Sequence, residues 1–540
     1  MIKTSKPPFV CLQCRLVRPQ RRPRLFPRPT AARLLSTSSC RYNATVSELP
    51  IQSRPPTAPK PNIDIKHIRQ NPELYEKNCL ERNYKAQSAY PSLIIDLFAR
   101  WQASQRDGRS LRERSNALRR QIANPATIQH EDEETEADKR PPATPEGEGD
   151  VKQMTKEQLI EEARVLKEKL SAIEQDEARF EAQMADLALA VPNLTSADTP
   201  RGDEPRVLSF INEHPEPAPS SSDRIWRSHV HIGSELGILD LAGAATTSGW
   251  GWYYLVDEGA QLEQALVSYA LAAVTKQNLG WRQVSPPSIV YGHIGAACGF
   301  QPRDQHGEQQ VYSLSRSASD AARGRPELCL AGTAEIPLAG MKADAVLEAA
   351  DVPLKHVAAS RCYRAEAGAR GADTKGLYRV HEFTKVEMFA WTPPDEQAAT
   401  EVLDEMLDLQ TDILQGLGLH CRVLEMPSAD LGASAFRKVD IEAFFPSRRD
   451  PDGDRDGWGE VTSASVCTDY QARRLATRLR AAGGKMTYPW TVNGTALAVP
   501  RVLAAVLENG WDEADMSVVI PESLRPWMDG RERIGLKHRR

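Results

Sequence analysis

The 540-residue sequence lacks any stretch approaching the roughly 18 consecutive apolar residues of a membrane-spanning helix, so membrane spanning is excluded. Its nine cysteines are an odd number, spread thinly along the chain, and do not resemble a disulfide framework. A reducing compartment is therefore favoured. Hydrophobic residues make up 41% and charged residues 26% of the chain, which is ordinary globular usage, so this length predicts about two to four folded units.

Two common nucleotide-binding motifs are also missing. A phosphate-binding P-loop is absent, because Gly484-Lys485 is followed by Met486 and not by Ser or Thr. The sequence Gly249-Trp250-Gly251 lacks the third glycine of a dinucleotide fingerprint. Any ATP site in this chain requires another architecture.

Acidic residues are absent from the first 47 positions, which contain ten Lys or Arg residues. An Arg-rich, Ser-containing, acid-free N-terminus is typical of a mitochondrial transit peptide, and a disordered basic arm that binds nucleic acid is the alternative. We predict that residues 1–47 are a transit peptide that directs the protein to the mitochondrial matrix. A Pro-rich linker over residues 48–61 follows.

Two heptad patterns predict an antiparallel coiled-coil hairpin within residues 62–195. Positions Leu97, Ser104, Leu111 and Leu118 repeat every seven residues in the first pattern, over about 92–124. In the second, positions from Leu159 to Leu187 alternate four and three residue steps without a break, and all of them except Glu177 are apolar. At 1.5 Å per residue the first helix is on the order of 50 Å long, so the hairpin should project as an arm.

The first arm helix is rich in arginine, whereas the second carries more acids than bases. A basic stripe suggests contact with the phosphate backbone of a nucleic acid, and the solvated face of an ordinary coiled coil is the alternative. Between the helices, residues 125–150 contain nine acids and almost no bulky apolar side chains, so we predict a disordered acidic insert. The candidate phosphate-binding residues on the stripe are Arg100, Arg106, Arg109, Arg112, Arg119 and Arg120.

A Pro/Ser-rich stretch predicts a linker over residues 196–222, and the remainder, 223–540, reads as one domain in which strands and helices alternate irregularly. Helices are predicted at 259–278, 395–416, 469–482 and 500–509. Strands are predicted at 251–256, 378–392, 421–425 and 458–467.

The segment from Arg361 to Glu387 carries the most informative chemistry. One strand is predicted to present Arg364 and Glu366. A Gly-rich loop follows, and a second strand presents Arg379, His381 and Phe383. Such a hairpin offers a guanidinium for phosphate, a carboxylate for an amine and an aromatic ring for a base. A structural hairpin with salt-bridged faces is the alternative.

This segment closely resembles motif 2 of the class II aminoacyl-tRNA synthetases in its seryl-tRNA synthetase form, from the Arg-x-Glu-Ala-Gly block at Arg364 to Lys385-Val386-Glu387. Three further segments extend the resemblance along most of the chain. Thr333–Leu338 is similar to the amino-acid-binding segment of that family, Asn493–Arg501 looks like motif 3, and Gly280–Pro287 occupies the place of motif 1.

The resemblance implies an α+β fold, in which an antiparallel β-sheet flanked by helices follows an antiparallel α-helical coiled-coil arm. ATP would lie across the sheet with Mg²⁺, and Phe383 and Arg501 would sandwich the adenine. Arg364 and Arg501 are the implied catalytic residues, and Glu460 and Ser463 would meet Mg²⁺ through ATP. The implied ATP-binding set is Arg364, Ala365, Glu366, Val380, Phe383, Glu460, Val461, Thr462, Ser463 and Arg501, and the implied serine-binding set is Thr333, Ala334, Glu335, Glu387 and Thr495.

The activity that the resemblance implies is ligation of L-serine to tRNA(Ser) through a seryl-adenylate, by a homodimer, in mitochondrial translation. No catalytic Cys or His is required, so His381 is predicted to be structural. A catalytically silent, synthetase-like RNA-binding protein is the alternative. Such a protein would be expected to have lost one of Arg364, Glu366, Glu387 or Arg501, and all four are present.

Overall fold

The computed structural model describes residues 58–123, 154–214, 227–276, 279–301, 309–366, 376–449 and 456–536. The predicted transit peptide, most of the first linker, the acidic insert and the Gly-rich loop at 367–375 lie outside these residues. Within the described part, no helix combines the length and the apolar character needed to cross a membrane.

The arm is built from two short helices, α1 (Ile65–Gln70) and α2 (Pro72–Glu81), followed by two long ones, α3 (Tyr90–Ala123) and α4 (Lys156–Ala190). Thr155 and Gln158 form a capping box that satisfies two backbone N–H groups at the start of α4. The long helices are antiparallel, because Trp101 near the start of α3 contacts Glu181 near the end of α4, and Arg114 contacts Glu162. The coiled-coil prediction is confirmed.

Predicted seam positions are buried on both long helices, including Leu97 and Leu118 on α3. On α4 the pattern accounts for the burial of Leu159, Leu166, Leu170, Met184 and Leu187. Apolar side chains at alternating steps of three and four residues therefore hold the hairpin together over most of its length.

Buried polar side chains fix the base of the arm to the rest of the protein. Arg82 is 1% exposed and donates to the carbonyl oxygens of Asn193, at 2.7 Å, and Gly432. Arg474 donates to the carbonyl of Leu189 at the end of α4, at 3.1 Å. Asn193 in turn donates to the carbonyls of Ser434 and Cys467, each at 2.9 Å. These contacts set the point from which the arm projects.

An eight-stranded sheet forms the centre of the structure after the arm. Its strands are β1 (Arg206–Ile211), β4 (Arg282–Gln283), β8 (Leu354–Tyr363), β9 (Glu382–Thr392), β10 (Cys421–Glu425), β11 (Arg437–Arg449), β12 (Asp456–Thr468) and β15 (Trp490–Ala498). They lie in the order β1-β10-β11-β12-β15-β9-β8-β4. All neighbouring pairs are antiparallel except the edge pair of β4 with β8.

The remaining strands form small sheets around this centre. They are β2 (Leu239–Asp240), β3 (Tyr254–Leu255), β5 (Ile289–Tyr291), β6 (Leu328–Leu330), β7 (Val346–Glu348), β13 (Arg478–Arg480), β14 (Met486–Thr487), β16 (Trp511–Asp512), β17 (Ser517–Val519) and β18 (Arg533–Gly535). The helices are α5 (His229–Glu235), α6 (Leu241–Ser248), α7 (Glu258–Val274), α8 (Gly292–Ala297), α9 (Ala318–Ala322), α10 (Glu335–Gly340), α11 (Glu396–Gly416), α12 (Tyr470–Leu475) and α13 (Val499–Asn509).

The two faces of the central sheet have different roles. Alternate residues of β9, among them Val386 and Met388, join α7, α11 and α13 in one hydrophobic core. Because successive side chains of a strand point to opposite faces, Lys385 and Glu387 lie on the other face. The same alternation leaves Thr495 of β15 directly across from Glu387. The sheet therefore presents polar groups at its centre on the face opposite α7, α11 and α13.

Several predicted boundaries are corrected by the structure. The linker predicted at 196–222 contains β1, whose short apolar run is surrounded in sequence by Pro and Ser residues. The helix predicted at 469–482 ends at Leu475, because Ala476 adopts a left-handed conformation with φ 54° and the chain turns into β13. The strand predicted at 378–392 begins at Glu382. His381 therefore precedes that strand.

Candidate active site

The first part of the site is a group of buried residues at the start of α10. Thr333, Ala334 and Glu335 are 1%, 0% and 5% exposed. Gln471 donates to one oxygen of the Glu335 carboxylate at 2.6 Å, and Asn493 donates to the other at 3.2 Å. The carboxylate is thereby held in one orientation within the protein interior, as recognition of a substrate cation requires.

Glu335 has an unusual ionisation equilibrium. Burial, reinforced by the nearby carboxylate of Glu387, raises the pKa of Glu335 from 4.5 to about 7. Lys385, the Gln471 hydrogen bond and Arg364 oppose this rise. The carboxylate therefore changes its charge close to neutral pH, and a bound ammonium group would favour the charged form.

Glu387 and Thr495 form the second part of the site, on neighbouring strands β9 and β15. The Thr495 hydroxyl lies 3.4 Å from Glu387 Oε2, and both residues are buried. The Lys385 ammonium contacts the Glu387 carboxylate and lies 3.3 Å from the Thr495 hydroxyl. Buried hydrogen-bonding groups of this kind can discriminate a ligand that carries a hydroxyl from one that lacks it.

Arg364 lies immediately after the end of β8, and its guanidinium is 5.4 Å from the centre of the Phe383 ring. It is close enough to favour the charged forms of both Glu335 and Glu460 and to lower the pKa of each. Arg364 is thus within electrostatic reach of Glu335 in the predicted serine-binding set and of Glu460 in the predicted ATP-binding set. A planar cation in this position can contact two anionic groups at once.

The neighbours of Arg364 are held by backbone contacts. The Ala365 amide donates to the Gln310 carbonyl at 3.1 Å. Glu366 has a positive φ of 47°, unusual for a residue other than glycine, and its carboxylate lies 3.6 Å from the Arg379 guanidinium. Val380 and Phe383 are buried together against Cys362.

Arg501, in the first turn of α13, forms the third part of the site. Its guanidinium donates at 3.0 Å both to the Glu460 backbone carbonyl and to the Glu460 carboxylate. It also lies 4.6 Å over the Tyr378 ring. Burial alone would raise the pKa of Glu460, but Arg501 and Lys438 outweigh it and lower the pKa to about 2. Glu460 is therefore ionised throughout the physiological range.

The predicted ATP segment on β12 divides into residues with different surroundings. Val461 lies at a bulge, where the pairing with β11 shifts register, and its side chain is in the main hydrophobic core. The Thr462 hydroxyl donates to the Thr495 carbonyl, which ties β12 to β15. Ser463 is half-buried and pairs in register with Asp440 of β11. Its side chain is the better placed of the two hydroxyls to meet a ligand, and Val461 can contribute only its backbone.

The oxygen ligands near Glu460 fit a magnesium ion that is shared with a nucleotide. Glu460 is ionised, and Asp440 Oδ1 is buried with no hydrogen-bond partner among the described residues, although Lys438 binds the other carboxylate oxygen at 2.7 Å. No group of three His, Cys, Asp or Glu side chains in the described residues could hold a metal ion alone. Mg²⁺ commonly takes one or two protein carboxylates and completes its shell with phosphates and water.

The arm arginines are not equivalent. Arg100, Arg106, Arg109, Arg119 and Arg120 are exposed on α3. Arg112 instead crosses the seam and donates to both oxygens of Glu177, at 2.8 and 2.7 Å. A Cβ on Gly108 would lie 2.9 Å from the Arg112 guanidinium and 3.2 Å from Ile173, so glycine makes room for this crossing. The Arg112–Glu177 pair also explains how the acidic residue Glu177 can occupy a heptad seam position.

Sequence reasoning missed several side chains that shape the pocket. Asn493 and Lys385 lie two residues from Thr495 and Glu387 on the same strands, so strand periodicity could have placed them on the same face. Gln471 on α12 and Tyr378 carry no comparable signal. They are brought to Glu335 and Arg501 only by the fold.

The antiparallel sheet, with buried Glu335, Glu387 and Thr495 and the Arg501–Glu460 pair, fits a class II aminoacyl-tRNA synthetase. Residues 317–510 match a family profile described as the tRNA synthetase class II core domain (G, H, P, S and T). A crystal structure of seryl-tRNA synthetase from Pyrococcus horikoshii complexed with ATP matches with a TM-score of 0.71 at 28% identity, covering 88% of this chain and 100% of that one.

Two relatives in sequence are ligases for serine. The chain is 42% identical over 374 residues to the mitochondrial serine–tRNA ligase of Saccharomyces cerevisiae, covering 69% of this chain and 78% of that protein. It is 37% identical over 476 residues to the serine–tRNA ligase of Rubrobacter xylanophilus, covering 88% and 99%. The chain belongs to the serine–tRNA ligase family. The predicted fold class and family are thereby confirmed.

Proposed function

We propose that this protein activates L-serine with ATP to form seryl-adenylate and then transfers the seryl group to the 3′ end of tRNA(Ser). The observation that carries the proposal is the buried pocket in which Glu335, Glu387 and Thr495 lie beside Arg364. Two carboxylates and a hydroxyl suit the ammonium and hydroxyl of serine, and the guanidinium suits its carboxylate.

The reaction proceeds by positioning and charge stabilisation. Arg364 holds the serine carboxylate against the α-phosphate of ATP, so that one carboxylate oxygen attacks phosphorus while the bond to pyrophosphate breaks. Arg501, kept in place by Glu460 and Tyr378, neutralises charge on the phosphates. In the second step, the terminal ribose hydroxyl of the tRNA attacks the carbonyl carbon of the adenylate, and AMP leaves.

Glu460 and Ser463 would hold Mg²⁺ together with the ATP phosphates, with Asp440 alongside. When bound, the ion supplies positive charge to the phosphate oxygens. The adenine would lie between Phe383 and Arg501, with Glu366 near its amino group. Thr333 and Ala334 would line the serine pocket beside Glu335.

Serine-dependent exchange of labelled pyrophosphate into ATP tests this function directly. Activity with serine and little with alanine is expected, since alanine would leave Glu387 and Thr495 without a hydroxyl partner. A folded protein that binds tRNA(Ser) but catalyses no exchange would support the silent RNA-binding alternative.

The ionisation of Glu335 predicts a pH dependence that is specific to serine. As the pH falls through about 7, Glu335 gains a proton and loses its attraction for the serine ammonium. The KM for serine should therefore rise below about pH 7, approaching tenfold per pH unit, whereas the KM for ATP should stay flat. Steady-state exchange between about pH 5.5 and about pH 8.5 measures both constants. In Glu335→Gln the serine KM should be high and independent of pH, and a pH-dependent KM in that variant would assign the titration to another group.

The arm is proposed to bind tRNA(Ser) through the exposed arginines of α3. Changing Arg119 and Arg120 together to Ala should weaken tRNA binding and flatten the slope of log affinity against log salt by up to about two units. Pyrophosphate exchange should be unchanged, because the activation site lies in the sheet.

Two single variants serve as controls for this measurement. Arg112→Ala should lower the thermal stability of the protein with little effect on the salt slope, because Arg112 is engaged by Glu177. Arg179→Ala, on the more acidic helix α4, should leave both the thermal stability and the salt slope unchanged. Equal salt slopes for the Arg119/Arg120 double variant and the unaltered protein would refute the assignment of these two arginines.

We also propose that residues 1–47 direct the protein to the mitochondrial matrix, supported by ten basic and no acidic residues. A fluorescent protein fused to this segment should enter mitochondria and be shortened there. A reporter that remains in the cytosol would favour the basic-arm alternative.

A homodimer through the region Gly280–Pro287 is a further proposal. This region contains β4, the edge strand of the central sheet. Light scattering should give about 120 kDa, twice the mass of 59.9 kDa, before any leader is removed. A monomer mass at micromolar concentration would argue against it.

A further inference from the structure

Three aromatic rings surround the imidazole of His381, whose backbone is hydrogen-bonded to that of Arg364. Trp252 stacks on His381 with ring centres 5.8 Å apart, whereas Trp250 and Tyr312 meet it edge-on at 5.8 and 6.2 Å. Trp250 is 55% exposed, more than any other exposed large hydrophobic residue in the described part of the chain. We call Trp250, Trp252, Tyr312 and His381 the aromatic platform.

The platform is fixed by close backbone packing. Gly251 has a positive φ of 83°, and a Cβ at this position would lie 2.4 Å from His381 Cδ2. The Gly251 carbonyl accepts a hydrogen bond from the His381 amide at 3.0 Å. Only glycine fits between the two tryptophans, so the segment from Trp250 to Trp252 is held against His381 and its rings have defined positions.

The platform is joined directly to Arg364. The Arg364 amide donates to the His381 carbonyl at 2.9 Å, and His381 Nδ1 lies 3.1 Å from the Arg364 carbonyl oxygen. The Tyr312 hydroxyl is also 3.1 Å from that ring nitrogen. The exposed Trp250 ring therefore stands at a set position relative to the group that is proposed to hold the adenylate.

We propose that an unpaired base near the 3′ end of the tRNA stacks on Trp250, and that this contact places the terminal ribose at the seryl-adenylate. The inference rests on the proposed function, because it names the platform as the binding surface for the second substrate. His381 is then a positioning residue for the platform, held between Arg364 and Trp252, and takes no part in the chemistry.

The chemistry of the tRNA 3′ end matches that of the aromatic platform. The terminal nucleotides of a tRNA must reach the adenylate, and being unpaired they present free π-faces. Indole rings are effective stacking partners for such bases, without sequence preference. Stacking releases few counterions, whereas arginine contacts to phosphates along α3 release many. The platform and the arm should therefore contribute to tRNA binding with different salt dependences.

Single-turnover transfer from preformed, enzyme-bound seryl-adenylate to tRNA(Ser) tests the proposal in the full-length protein. Trp250→Ala should slow transfer at subsaturating tRNA by about 5- to 100-fold, the range expected for one lost base stack. Trp250→Phe should remain within about threefold of the unaltered protein. The loss should be similar at about 50 mM and about 200 mM salt, unlike the loss caused by the arm variants.

Matched controls separate stacking from general effects. Trp527, 46% exposed in the 3₁₀-helix Glu522–Trp527, is a second exposed tryptophan, and Trp527→Ala should leave transfer unchanged. A tRNA transcript lacking its unpaired 3′ nucleotides should bind Trp250→Ala and the unaltered protein equally. Pyrophosphate exchange by Trp250→Ala should stay within about twofold of normal.

Four results would overturn the inference. Normal transfer by Trp250→Ala would show that the ring makes no productive contact. An equal loss in pyrophosphate exchange would show that Trp250 supports the adenylate pocket. Conversion of a dimer to a monomer by Trp250→Ala would assign the ring to a second copy of the chain. A loss that Trp250→Phe fails to rescue would exclude stacking. Absence of exchange in the unaltered protein would instead refute the proposed function itself.

Discussion

Replacing Arg364 with alanine should lower serine-dependent pyrophosphate exchange by about 1,000-fold, or about 4 kcal/mol of transition-state stabilisation. Arg364 is near enough to the Glu335 and Glu460 carboxylates to favour the charged form of each, although burial still raises the pKa of Glu335 overall. Its proposed role brings together the two anions that react, the serine carboxylate and the α-phosphate. Removing it would also leave their mutual repulsion uncompensated at the moment of attack.

Arg361 offers a matched control for Arg364. It lies three residues earlier on β8, is 46% exposed, and faces Glu263 and Glu382 at 3.6 and 3.9 Å. Arg361→Ala should leave exchange within about twofold of normal, because Arg361 belongs to neither the predicted serine-binding set nor the predicted ATP-binding set. Arg364→Lys should recover only part of the activity, since an ammonium cannot contact two anions in one plane. Full activity in Arg364→Lys would show that charge alone is needed at this position.

Replacing Glu387 with alanine should reduce serine activation by at least about 100-fold, or about 2.7 kcal/mol. Glu387 is 1% exposed and lies next to the Thr495 hydroxyl, so no water can readily replace its carboxylate. The loss should be largest in kcat/KM for serine and small in the KM for ATP. Activation within threefold of the unaltered protein would exclude Glu387 from serine recognition.

The Lys385 ammonium adds a structural consequence to this substitution. It is buried and paired with Glu387, so Glu387→Ala leaves a buried charge without its partner. Breaking a buried pair from one side costs about 3–5 kcal/mol of stability. Glu387→Gln keeps the shape and hydrogen-bonding capacity, and Glu382→Ala is the control on the same strand. Thermal unfolding measured with the kinetics separates lost recognition from lost folding.

Local periodicity and spacing in the sequence determined a large part of this protein. The heptads predict the arm because a helical seam repeats every three or four residues, and the burial of Leu97, Leu118 and Leu159 follows directly. The segments around Arg364, Thr333 and Asn493 identify the family because they preserve whole runs of residues. Helix α11 was likewise predicted within one residue of its observed bounds.

The tertiary structure decided the contacts between residues that are distant in sequence. The pairing of Arg112 with Glu177 across the seam separates one predicted phosphate-binding arginine from the others. Strand β1 was not predicted, because a short apolar run within a Pro/Ser-rich stretch carries no periodic signal. Its backbone hydrogen bonds are made with β10, which is distant in sequence. Gln471 reaches Glu335 by the same kind of long-range packing.

The pKa values of the site carboxylates also depend on contacts between residues that are distant in sequence. The sequence shows that Glu335, Glu387 and Glu460 lie in segments that resemble the serine-binding and ATP-binding segments of the family. Burial beside another carboxylate raises the pKa of Glu335, whereas Arg501 and Lys438 lower that of Glu460. These surroundings come from separate strands and helices, and no local pattern encodes them. Residue types and helical periodicity are local properties that can be read directly from a sequence. The electrostatic environment of a buried group depends instead on which distant segments the fold places around it.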